Sequence, residues 1–208
     1  MYALILAGGK ASRLGMGEKA LVRFLNRPLL SYVIESVTSA GLEPFVIVTS
    51  QTPYTSNYCR IQGIPLILTD GAGYVEDIWQ AVLDLSITGP FLTICADLPG
   101  ITPEQINSVL DLYKESGYPA CSVWTPYAVD LPTETIFRIK DTNHDIPGKP
   151  VGLNILRADL IEEVQDELKI LIEDPFLSLN INTREELVLA EKIFSSGCKR
   201  LNQQPIIL

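Results

Sequence analysis

The chain of 208 residues has one histidine, four scattered cysteines, no surplus of basic charge and no long apolar run. A membrane helix needs about 18 or more apolar residues in succession, and none occurs. The opening MYALILAGG lacks the basic leader and the cleavage site of a secretory signal. A soluble, cytoplasmic protein is therefore expected. Cys59, Cys95, Cys121 and Cys198 show no CxxC spacing, which argues against a zinc ribbon or redox pair and for reduced thiols. The net charge of −9 argues against a nucleic-acid partner, which calls for a broad cationic surface. His144, in KDTNHDIPGKP, reads as a loop residue rather than a catalyst.

What is present is a local exception to that acidity. Lys10, Arg13, Lys19, Arg23 and Arg27 crowd residues 10 to 27 with only Glu18 opposing them, in the segment that also carries Gly8, Gly9, Gly15 and Gly17. A small polyanion held at one place is the expected ligand of such a patch.

The periodicity alternates short apolar runs with amphipathic stretches. Residues 2–7, 44–49, 65–69 and 90–96 are apolar on both faces, as buried parallel strands should be. Residues 28–40 and 74–85 carry helical stripes, and Thr102 to Gln105 and Thr183 to Glu186 are capping boxes that open helices. After Pro119 the segments ACSVWTP, ETIFRIK and KPVGLNILRA look like strands on longer loops. A three-layer α/β domain over residues 1–197 is expected, with 198–208 as a C-terminal tail that either stays disordered or packs its PIIL on a neighbour.

Two familiar phosphate loops are excluded. Gly9-Lys10 is followed by Ala11, which breaks the P-loop pattern, and the GxGxxA match at Gly15 to Ala20 starts too far beyond the first strand for a dinucleotide fingerprint. Gly8 and Gly9 nonetheless fall at the carboxyl end of that strand, where a phosphate can reach backbone amides. Arg13 can fork onto a phosphate, and Lys10 and Lys19 can act as point charges. Asp97, ending the run at Cys95-Ala96, brings one carboxylate to the same sheet edge, enough to anchor Mg²⁺ together with substrate phosphates.

The stretch LAGGKASRLGMGEK, with Gly8, Gly9, Arg13, Gly15 and Lys19, resembles the signature of nucleotidyltransferases that join an NTP to a phosphorylated acceptor. The blocks DGAGYVED (70–77), VGLN (151–154) and NINTREEL (180–187) are similar to those of archaeal-type GTP:adenosylcobinamide-phosphate guanylyltransferases; the last is shared with molybdenum-cofactor guanylyltransferases. The resemblance implies a Rossmann-like nucleotidyltransferase fold with a mostly parallel central sheet. It implies transfer of GMP from GTP to adenosylcobinamide phosphate, with release of pyrophosphate, in cobalamin biosynthesis.

The same resemblance places Leu6, Ala7, Gly8, Gly9 and Lys10 around the nucleotide, with Lys10 and Arg13 on the β and γ phosphates, Lys19 at the α-phosphate and Mg²⁺ on Asp97. Gly152 and Asn154 would face the ribose or acceptor. Asn180 and Asn182 would meet the acceptor phosphate or complete the metal shell, although Asn182 beside Thr183 fits a helix start equally well. For the base, Thr49 and Ser50 can line its pocket, and Asp70, Glu76 or Asp77 can accept from the donor edge of guanine. Glu76 and Asp77 have a plainer explanation as negative charges in a first helical turn. A homodimer is left open. The alternatives are a molybdenum-cofactor or sugar-phosphate nucleotidyltransferase and, from another class, a noncatalytic nucleotide sensor.

Overall fold

A computed structural model describes residues 1–9, 15–126, 137–140, 145–178, 181, 183–196 and 205–207. The chain runs β1 (Tyr2–Leu6), a 3-10 turn (Lys19–Leu21), a small hairpin of β2 (Arg23–Phe24) and β3 (Arg27–Pro28), then α1 (Leu29–Ser39), β4 (Glu43–Thr49) and α2 (Pro53–Gln62). It continues through β5 (Leu66–Thr69), α3 (Tyr74–Asp84), β6 (Pro90–Cys95), α4 (Pro103–Ser116) and β7 (Ala120–Pro126). The last part holds β8 (Phe137–Lys140), β9 (Asp145–Arg157), β10 (Glu167–Leu171), α5 (Arg184–Ser195) and β11 (Ile206–Ile207). No helix among the described residues is long and apolar enough to cross a membrane.

Among the described residues, nine strands form one sheet in the order β11-β10-β7-β9-β6-β1-β4-β5, with β8 beside β9. The block from β6 to β5 is parallel, β9 lies antiparallel between β6 and β7, and β10 returns to the parallel direction. Alternate residues of each strand point to opposite faces. Ala3, Ile5, Val46, Val48, Leu92 and Ile94 pack in one cluster with residues of α1, α2 and α4. Leu4, Ile47 and Phe91 pack in another with Ile78, Ala81 and Val82 of α3. The three expected layers are present.

Local chemistry fixes several boundaries. Both capping boxes form: Thr102 and Gln105 exchange two bonds at the start of α4, and Thr183 and Glu186 do so at α5. Leu187 and Ala190 of α5 pack on Val22, Phe24 and Leu29 around the hairpin, a contact that holds the segment after the glycine loop. Two elements escape the apolar pattern. Helix α2 buries only Thr55, Ser56 and Cys59 and so has no stripe to read, and β10 alternates exposed Glu167 with buried Leu168 in too short a run. Near the C-terminal end, Ile206 and Ile207 pair antiparallel to Leu171 and Ile170.

Candidate active site

Strand β1 is paired with β4 on one side and β6 on the other, so strand order reverses there. Ligands of open α/β sheets bind outside the carboxyl ends at such a point. A cavity of about 370 Å³ opens there. Leu6, Ala7, Gly8 and Gly9 bring backbone to it from β1, and Cys95, Ala96 and Asp97 from β6; Thr49 and Gln51 follow β4. Gly71, Gly73, Tyr74 and Asp77 close the far wall.

The glycines have different reasons to be there. A Cβ on Gly8 would come within 2.8 Å of the Thr49 methyl, whereas one on Gly9 would meet nothing within 4 Å. Gly8 is thus required by close approach of two strand ends, and Gly9 leaves backbone open to a ligand.

Lys19 is set by its neighbour. Glu18 turns away from the cavity and its carboxylate accepts from the Tyr54 N–H at 2.9 Å and from the N–H and hydroxyl of Thr55 at 2.6 Å each. Those donors belong to the first turn of α2, where backbone N–H groups lack helical partners and a negative charge is favoured. With Glu18 held there, Lys19 faces the other way and its ammonium forms an ion pair with Asp97. Asp97 is only 7% exposed. One basic and one acidic group therefore meet at the cavity floor.

A second lysine acts on the same carboxylate from a distance. Lys149 of β9 donates to the Ser178 carbonyl; burial lowers its pKa, while the charges of Glu186 and Asp97 act the other way. The Cys95 thiol is pushed up to about 12, first by burial and then by the charge of Asp97, so it stays neutral. Burial likewise raises the phenol of Tyr74.

The guanine candidates separate in space. Asp77 lines the cavity, and its Oδ1 accepts from the Gly71 N–H at 2.9 Å, tying the loop after β5 to α3. Asp70 and Glu76 are exposed and do not line it; the carboxylate of Glu76 lies over Gly73. Thr49 lines the cavity and Ser50 does not, its place being taken by Gln51. Gln51 lies beyond the strand, where no apolar pattern marks it, in a turn in which its N–H donates to the Thr49 hydroxyl.

Gly152 and Asn154 lie on β9 beside β6. Gly152 has φ +81°, and a Cβ there would come within 2.7 Å of the Cys95 sulfur, so its backbone and its neighbour both exclude a side chain. It sits where the register between β7 and β9 shifts. Asn154 donates to the Tyr74 hydroxyl at 3.1 Å and to that of Thr93 at 3.4 Å. Lys10, Arg13, Asn180, Asn182, His144 and Cys198 lie outside the described residues.

The MobA-like NTP transferase domain matches residues 3–170. The chain belongs to that family. It is 32% identical over 204 residues to the adenosylcobinamide-phosphate guanylyltransferase of Methanocaldococcus jannaschii, covering 93% of this chain and 97% of that one. It is 30% identical over 122 residues to a protein of Thermococcus sibiricus named "Probable molybdenum cofactor guanylyltransferase", covering 58% of this chain and 60% of the other. Among solved structures, CMP:2-keto-3-deoxy-manno-octonic acid synthetase complexed with CTP superposes with a TM-score of 0.73 at 15% identity, over 94% of this chain and 98% of the other, a likeness of fold. The Rossmann-like nucleotidyltransferase fold expected from the sequence is the fold found.

Proposed function

We propose that the protein transfers GMP from GTP to adenosylcobinamide phosphate. The observation that carries the reading is the extent of the similarity: the Methanocaldococcus jannaschii guanylyltransferase matches along 93% of the chain, whereas the molybdenum-cofactor relative matches 58%.

The site suits this chemistry. An oxygen of the acceptor phosphate forms a bond to the α-phosphorus of GTP, the bond from that phosphorus to the bridging oxygen breaks, and pyrophosphate leaves with the electron pair. The nucleophile is already anionic, so no side chain need remove a proton; the protein aligns two phosphates and offsets their charge. Gly8 and Gly9 offer backbone to the triphosphate, with Lys10 and Arg13 as its cationic partners. Lys19, held by the Glu18 clamp, is the group for the α-phosphate, where charge builds during in-line attack.

Among the described residues, no three His, Cys, Asp or Glu side chains converge. A cation that keeps most of its water and binds through one carboxylate and substrate phosphates fits such a site, and buried Asp97 is that carboxylate, so Mg²⁺ is the expected ion. When bound, it would supply charge neutralisation at the phosphate oxygens. Thr49, Gln51 and Asp77 are the side chains available to the base, and Asp77 has one oxygen beyond the one committed to Gly71.

Pyrophosphate release measured with GTP, Mg²⁺ and adenosylcobinamide phosphate tests the reading. Release that requires this acceptor and fails with ATP is expected. Release with molybdopterin or a sugar 1-phosphate instead would move the protein to another branch of the family, and tight GTP binding without release on any acceptor would leave a nucleotide sensor.

A further inference from the structure

A second cavity, of about 290 Å³, lies on the α3 side of the sheet, and Tyr74 and the neighbouring Asn154 stand at its boundary with the first. Its walls are apolar: Val75 and Ile78 from α3, Ala120 from β7, Leu156 from β9 and Ile161. Its polar groups are nearly all acceptors. Gln165 is fully engaged, accepting from the Arg157 N–H and donating to the carbonyls of Arg157 and Leu160, each at 3.0 Å. Glu163 and Glu167 put carboxylates on the rim. Asn154 spends its amide hydrogens on Tyr74 and Thr93, so that its carbonyl, with no donor among the described residues, remains to accept.

The nearby cations are occupied. Arg157 makes two bonds to Asp159, at 3.0 and 2.6 Å, and Lys169 lies 3.5 Å from Glu167 and over the ring of Trp124. The first cavity carries Lys19 beside Asp97 and Asp77, and the proposed reaction places the phosphates there, whereas the second is lined by Glu163 and by Glu167, itself near Lys169, with no Lys or Arg in its lining among the described residues. A ligand with an anionic end and a neutral body can cross the two in one direction only.

We infer that the second cavity seats the non-reacting body of the acceptor: an apolar framework carrying neutral N–H donors, such as primary amides, whose phosphate arm passes the Tyr74–Asn154 bridge to reach Lys19 and Asp97. This rests on the acceptor proposed above and adds where its body binds and which way it points. The cavity takes part of a large acceptor and leaves the remainder over the rim. Binding the body here positions the phosphate, so contacts far from the reacting atoms raise turnover as well as affinity.

Steady-state kinetics with the two substrates varied separately test the inference, on the wild type and on Val75→Glu, Glu163→Gln and Glu167→Gln. Val75 is 64% exposed in the first turn of α3, where glutamate suits the helix, so that variant folds. The expected result is an acceptor KM raised about tenfold by Val75→Glu and severalfold by removal of both carboxylates, with the KM for GTP and the melting temperature unchanged. Phosphate-free cobinamide should compete with the acceptor on the wild type and lose most of that competition in Val75→Glu. Unchanged acceptor KM in all variants, or equal rises for both substrates, overturns the inference while leaving the reaction intact. A wild type that binds GTP and does not turn over this acceptor overturns the proposed reaction, and the inference with it.

Discussion

The two sides of the Tyr74–Asn154 bridge are built in opposite ways. On the nucleotide side, the cavity is made where β1, β4, β5 and β6 end, by short loops close in sequence to the strands that carry them. On the other side, the wall depends on β9 lying antiparallel between β6 and β7, so that Thr93 faces Asn154 and Cys95 faces Gly152 across long sequence separations. The first side fails when a loop's chemistry is changed, and the second when a strand's register or backbone is disturbed.

The largest effect should come from Asp97→Ala. Loss of the buried carboxylate removes the partner of Lys19 and the expected Mg²⁺ anchor, and kcat should fall about a hundred- to a thousandfold with the far-UV spectrum retained. Gly8→Asp comes next. It forces a side chain against Thr49 and a negative charge into the phosphate site, and calorimetry should find GTP affinity lowered by about a hundredfold or more. By contrast, Gly9→Ala meets no neighbour, so it should leave the melting temperature alone while still weakening GTP, an outcome that would separate ligand approach from packing.

The other side breaks differently. Gly152→Ala must adopt a left-handed backbone against the Cys95 sulfur, and denaturant unfolding should show a loss of about 1–3 kcal/mol. The acceptor KM should rise with it, because Asn154 is carried on the same strand. A variant that lost stability but kept its acceptor KM would show Gly152 to be structural alone.

A further effect is on pH dependence. Burial pushes the thiols of Cys59 to about 11 and of Cys95 and Cys121 to about 12. An unfolded chain releases these protons above about pH 8.5, when the folded protein still holds them, so their contribution to stability is present at neutral pH and is lost as pH rises from there. Chemical denaturation between pH 7 and 10 should show this decline, and Cys121→Ala should make it shallower.

Much of the nucleotide side was legible because strand ends and glycine loops are local. The apolar runs at 2–7 and 90–96 located Gly8, Gly9 and Asp97 on one edge, and the capping boxes located α4 and α5 through bonds between residues three apart. Helix α2 was less legible since polar Thr55 and Ser56 occupy its buried face. Glu18, in sequence only the one acidic residue of a basic segment, holds three donors on α2, at a separation that no pattern spans. Asp70, Asp77 and Glu76 could not be ranked without the turn that brings Asp77 to the Gly71 N–H.

The sequence by itself determined the alternation of strands and helices, the glycine loop and the presence of Lys19 and Asp97, because periodicity, capping and spacing act over a few residues. Only the tertiary structure decided that Lys19 meets Asp97, that Asn154 reaches Tyr74, and that a second cavity with an acidic rim lies beyond them. Those contacts join residues separated by dozens of positions, and their geometry follows from sheet order, strand register and the turn of one loop against another helix.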